Sequence, residues 1–149
     1  MKGFKFRLES VLNYRHFQKR QCEARLSVAV KKRQEAATQL EHAQVTLRKA
    51  ESSIASAMKH PVKMAELLIL QNMISSQRAN SQLAIKNLES ADHQLEQARQ
   101  SVLEAQMNCK KIEHLKAQGK QTALAEQVKQ DELQSEEFVR AKFAAFESA

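Results

Sequence analysis

Apolar positions in this chain recur at alternating steps of three and four, and small and large residues take turns on them. One ladder runs Ala29, Ala36, Ala43, Ala50 and Ala57. Three residues before each stands Leu26, Arg33, Leu40, Leu47 or Ile54. A second region repeats the device, with Ala84, Ala91, Ala98 and Ala105 beside Leu88, Leu95, Val102 and Cys109. Alternating threes and fours keep one stripe of a helix facing a partner helix, which is the seam of a coiled coil. Two such helices approach closely when large residues face small ones.

That condition selects a pairing. In an antiparallel hairpin, facing residue numbers sum to a constant. A sum of 124 sets Leu40 on Ala84, Ala36 on Leu88, Ala29 on Leu95 and Leu26 on Ala98. Arg33 then faces Ala91, leaving its guanidinium room to reach water along its alkyl stem. A sum of 117, one heptad away, also alternates large with small, but 124 also matches Ile54 with Leu70 and Leu12 with Ile112. The expected fold is all-α: a long antiparallel two-helix coiled-coil hairpin with an alanine-rich seam of Leu26, Ala29, Ala36, Leu40, Ala84, Leu88, Ala91, Leu95 and Ala98. The alternative is a pair of alanine-rich helices packed in a larger bundle or on another copy of the chain.

The whole chain, residues 1–149, is expected to form this one hairpin. Gly3 and the alternation of Phe4 and Phe6 with lysine suggest a short extended lead. The first helix should run over about 8–58, roughly 75 Å. His60-Pro61 marks a turn over about 59–63, because proline disfavours helix in the residue before it. The second helix should run over about 64–146, with a possible break near Gly119, since glycine costs about 1 kcal/mol in a helix relative to alanine. Gln77 and Ser81 interrupt the apolar line and predict its loosest part. At a sum of 124, Phe4 lies level with Lys120, so residues 121–146 overhang the first helix. The overhang carries Leu124, Val128, Leu133, Phe138, Val139, Phe143 and Phe146, an apolar face with no partner in the chain.

Composition agrees. The chain has two glycines, one proline and seven aromatics without tryptophan, too few for a sheet protein or a bulky globular core. The net charge is +7, and all of it falls in residues 1–35, where ten basic residues stand against three acidic ones. The remainder is balanced, and the stretch 126–149 is acidic. A basic amino-terminal region suits an acidic partner: a protein pore, a membrane surface or nucleic acid. No apolar run reaches the length of a membrane span. The amino-terminal residues carry charge without the apolar core of a secretory signal. Cys22 and Cys109 fall on seam positions one heptad out of step, too far apart for a disulfide, which fits a reducing compartment such as the bacterial cytoplasm.

Catalytic signatures are missing. Glycines at 3 and 119 alone cannot make a phosphate-binding loop. His16, His42, His60, His93 and His114 are not spaced to share a face at a metal-ligand interval, and each reads as a solvated surface group. Asp131-Glu132 and Glu136-Glu137 are expected on a helix with no pocket, as solvated charge. No enzyme, metal or cofactor is expected.

Two short stretches carry a resemblance. Phe4-Lys5-Phe6-Arg7-Leu8 followed by Val11-Leu12 and Tyr14-Arg15, together with Glu126-Gln127, Lys129 and Asp131-Glu132-Leu133, resembles the FliJ family of flagellar export proteins. Val128 stands where members often carry lysine directly after the glutamine. The resemblance spans the chain in length and layout. It implies an antiparallel coiled-coil hairpin similar to the central stalk of rotary ATPases, in the cytoplasm and peripheral at the inner face of the cell membrane through protein partners. It implies three partners: the hexameric flagellar export ATPase, the cytoplasmic domain of the export gate membrane protein, and export chaperones. Phe4, Phe6, Arg7, Leu8, Arg15, Gln127, Asp131, Glu132 and Leu133 would then meet the ATPase. The equivalent stalk protein of a virulence type III secretion system is the runner-up. A basic coiled coil that binds nucleic acid is a third reading, disfavoured because Lys and Arg recur around the helix and few aromatics interleave with them.

The run from Glu66 to Ile74 holds more apolar residues than one seam uses. Leu67, Leu70 and Ile74 fall on the seam, while Ile69 lies about 200° and Met73 about 240° from Leu67 at 100° per residue. Both face away from the partner helix. The resemblance implies that members touch the export gate through the early second helix, which makes Leu68, Ile69, Met73 and Gln77 the expected gate-binding patch.

Overall fold

In a computed structural model the described residues are 3–148, and the fold is all-α. Helix α1 spans Glu9–Ala57 and helix α2 spans Met64–Glu147, with no strand among the described residues. The two helices run antiparallel. By its contacts the chain divides into two compact units: residues 20–104, and residues 3–19 with 105–148.

The unit of residues 20–104 is a hairpin closed by a short turn. The end of α1 tightens through backbone bonds from Lys59 N–H to Ser56 O (3.4 Å) and His60 N–H to Ala57 O (3.3 Å), a narrowing that satisfies carbonyls left over at a helix end. Pro61 supplies no donor and stops continuation. The Lys63 carbonyl then accepts the first bond of α2, from Leu67 N–H at 3.0 Å. No described residue has a positive φ, so the chain reverses without a left-handed cap.

Its interior is made mostly of small side chains. Ala29, Ala36, Ala84, Ala91, Leu95 and Val102 are buried, whereas Leu26, Leu40, Leu47, Ile54, Leu67, Leu70, Ile74, Leu88 and Ala98 are half-buried. A two-layer seam explains the order. A small side chain is covered readily by an opposing helix, while a long one keeps a flank in water; Leu95, buried, and Ala98, half-buried, depart from that order. Ser81 is the one buried polar residue among those described.

Charges cross the seam at its edges. Arg33 Nε donates to Asp92 Oδ1 at 2.8 Å, and Arg78 Nη2 lies 3.8 Å from Glu51 Oε1. These residue numbers sum to 125 and 129. The first sum lies next to 124, and the second lies five above it, on the side away from 117. At 117 each partner would stand a heptad away, about 10 Å along the axis. The heptad pattern alone does not name Asp92 as the group that receives the Arg33 guanidinium beside Ala91.

The second unit packs residues 3–19 on the following part of α2. Leu12 is 5% exposed and Cys109 only 2%, and Ala105 is also buried. Lys116 Nζ sits 2.8 Å from Glu9 Oε2 and 3.1 Å from its Oε1, so the first acidic residue of α1 is held by a cation of α2. His16, read from the sequence as a solvated group, has Nε2 3.4 Å from Glu113 Oε1 while staying partly exposed. Helix α2 runs through Gly119 without interruption.

Candidate functional site

Before α1 begins, the lead crosses α2. The Phe4 ring lies against Gly119, where an added Cβ would sit 3.0 Å from Phe4 Cζ and 3.4 Å from Cε2. A glycine inside a long helix costs stability. Here it makes a flat seat that lets an aromatic ring approach the helix backbone. Phe6 stacks beside Phe4, ring centroids 6.5 Å apart at 26°. The backbone then turns into α1, with Glu9 N–H donating to Phe6 O at 3.2 Å.

Directly beyond the seat lies an open groove of about 610 Å³. Phe4, Ala123 and Leu124 give it apolar walls, and Lys120, Gln127 and Asp131 give it a polar rim. Ala123 and Gln127 are the last half-buried residues of α2, and every described residue from 128 onward is exposed. Asp131 also lines two shallower grooves farther along the helix, one with Glu132, Val128 and Glu136, and one with Phe138 and Val139.

The sequence-named residues distribute unevenly over this unit. Phe4, Gln127 and Asp131 come together in the main groove. Glu132 borders a neighbouring one. Leu133 is exposed, about 180° around α2 from Leu124 at 100° per residue. Phe6 and Leu8 are half-buried, and Arg7 is exposed. Arg15 is half-buried, its Nη1 donating to Gln18 Oε1 at 3.1 Å, while Gln18 Nε2 donates to the Tyr14 hydroxyl at 3.0 Å. Neither arginine lines the main groove. Sequence reasoning missed Gly119 as a contributor: it read a weak point in a helix. A glycine inside a run of helix formers, level with an aromatic lead, was the available signal.

The second candidate patch belongs to the unit of residues 20–104. Leu68, Ile69 and Met73 are exposed, Ile69 at 60%, and Gln77 is half-buried. Met64 and Met58 are exposed nearby in sequence. Among the described residues no group of three or more His, Cys, Asp or Glu side chains is placed to hold a metal ion, and no helix is long and apolar enough to cross a membrane.

The sequence matches the family described as flagellar FliJ protein over residues 4–147. The chain belongs to the FliJ family. The matched span takes in both the Phe4 lead and the exposed end of α2. No curated protein and no solved structure matches the chain. FliJ membership makes this a flagellar export-related protein of a non-enzymatic family, one that implies interaction with components of the export apparatus.

Proposed function

We propose that this FliJ-family chain is a cytoplasmic, central-stalk-like component of flagellar protein export that binds and stimulates the hexameric export ATPase, contacts the cytoplasmic domain of the export gate, and meets export chaperones. Its association with the membrane is peripheral, through those partners. The observation that carries the reading is the convergence of Phe4, Gln127 and Asp131 on one groove, followed by a helix exposed on all sides. Phe138, Val139, Phe143 and Phe146 lie on that stretch, all largely solvent-exposed. Exposed aromatics in such number are costly to leave uncovered, and a surrounding ring of subunits is one way to cover a helix from every side.

The contact with the ring uses Phe4, Phe6, Arg7, Leu8 and Arg15 from the amino-terminal side and Gln127, Asp131, Glu132 and Leu133 from α2. The positive charge of residues 1–35 steers this part toward acidic loops in the ring channel. Leu68, Ile69 and Met73, flanked by Gln77, form the gate contact. Mixing the purified chain with the cognate export ATPase tests the reading: turnover and hexamer formation should both rise with added chain. No change in either, at stoichiometric excess, overturns it.

A further inference from the structure

We propose that the hairpin of residues 20–104 has a second stable register, displaced by one heptad from the observed one, and that the ion pairs Arg33–Asp92 and Glu51–Arg78 select between the two. The apolar seam is nearly indifferent to such a slide. Its alanines and its large residues repeat every seventh position over most of both helices, with Arg33, Leu70, Gln77 and Ser81 as the exceptions. After the slide Ala29 faces Leu88, Leu26 faces Ala91, Ala43 faces Ile74 and Ala50 faces Leu67, so large still meets small. Arg33 faces Ala84. The losses are Leu47 on Leu70, Leu40 on Gln77, Ala36 on Ser81 and, since α1 and α2 each run on unbroken past residues 20 and 104, the Glu9–Lys116 pair. The charges behave differently. Arg33 loses Asp92, which sits 2.8 Å away in the observed register. Glu51 likewise leaves Arg78. Apolar repeats give a coiled coil its adhesion, and flanking charges give it its register.

The turn permits the slide in one direction. Displacement toward the sum of 117 moves the turn back along the chain by about half a heptad, so that α1 gives up its last turn and α2 gains residues 61–63. Pro61 then falls in the first helical turn, where its missing N–H costs nothing and its fixed φ suits the helix. The opposite slide would carry α1 through Pro61, where the ring clashes with the carbonyl four residues earlier. In the second register Leu68, Ile69 and Met73 stand about 10 Å farther along α1.

Disulfide trapping tests it in the full chain with Cys22→Ser and Cys109→Ser as background. Leu40→Cys with Ala84→Cys reports the observed register, and Leu40→Cys with Gln77→Cys reports the displaced one. With the native charges, mild oxidation should link 40 to 84 at least tenfold faster than 40 to 77. The double change Arg33→Glu and Glu51→Lys opposes like charges in the observed register. In the displaced one it sets a glutamate at 33 near Lys86 and a lysine at 51 near Glu66. The ratio of the 40–77 rate to the 40–84 rate should rise at least tenfold, with helical content retained by circular dichroism. An unchanged ratio, or loss of both links in the charge variant, overturns the proposal.

Discussion

Residues 20–104 and residues 128–148 are built from the same helix-forming residue types, yet they solve opposite problems. In the first region the seam alanines Ala29, Ala36, Ala84 and Ala91 are buried, and half-buried leucines flank them. In the second no side chain is even half-buried, and Phe146 is 82% exposed. Its local support is of short range, as where Lys142 Nζ lies 5.5 Å over the Phe138 ring, an interaction of about 0.5–1 kcal/mol at an exposed site. The comparison separates two uses of apolar residues. At heptad spacing with small partners they hold the chain to itself. Without partners they remain available to another molecule.

Overpacking gives the largest expected effect and sharpens the contrast. Ala91→Leu puts a large residue where the seam admits a small one and should cost about 1–3 kcal/mol, read from denaturant unfolding. Val139→Ser or Phe143→Ser, in the exposed region, should stay within about 0.5 kcal/mol. If the tail substitutions cost as much as the seam substitution, the tail is packed in solution and the distinction fails.

Next in size is the pair Ile69→Ser and Met73→Ser. Neither side chain supports the seam, so thermal unfolding should shift by no more than a few degrees. Affinity for the cytoplasmic domain of the export gate, measured by calorimetry, should fall about tenfold or more, the scale of losing 1.4 kcal/mol, while ATPase stimulation persists. Normal gate binding by this variant would remove the patch from the account.

Gly119→Ala tests the seat of the lead. Alanine favours helix over glycine by about 1 kcal/mol, and the atom in its way is the far end of the flexible Phe4 side chain. Stability should therefore hold or rise slightly while the ring is displaced. A fall in ATPase stimulation without a fall in stability would assign Phe4 a positioned role. Unchanged stimulation would make the seat purely structural.

The smallest effect belongs to the edge charges. Asp92→Ala removes an ion pair whose two side chains are about half exposed, worth about 0.2–1 kcal/mol and weakened by salt. Chemical denaturation at low and high ionic strength checks both the size and the salt dependence.

Much of this was legible in the residues. A strict heptad of alternating size is a statement about two surfaces at once, so the ladders at Ala29 and Ala84 carried both the helices and their antiparallel arrangement. His60-Pro61 carried the turn, because proline has no donor for a continuing helix. Other features stayed hidden for physical reasons. The partner of Arg33 depended on which residue beside the seam a long side chain could reach, and periodicity is blind to that. Phe4 on Gly119 joins residues far apart in sequence across a non-helical lead, where no repeat exists to follow. The groove formed by Phe4, Ala123, Leu124 and Asp131 depends on that docking, so motif spacing could name Phe4, Gln127 and Asp131 without showing that they share a cavity.

The most direct test concerns the part of α2 that the chain leaves uncovered. Turnover of the export ATPase, titrated with the intact chain and with a chain ending at residue 120, compares the two regions in one measurement. The account predicts that the shortened chain keeps the helical content and unfolding transition of its paired helices and loses the stimulation. Stimulation equal to that of the intact chain would contradict it.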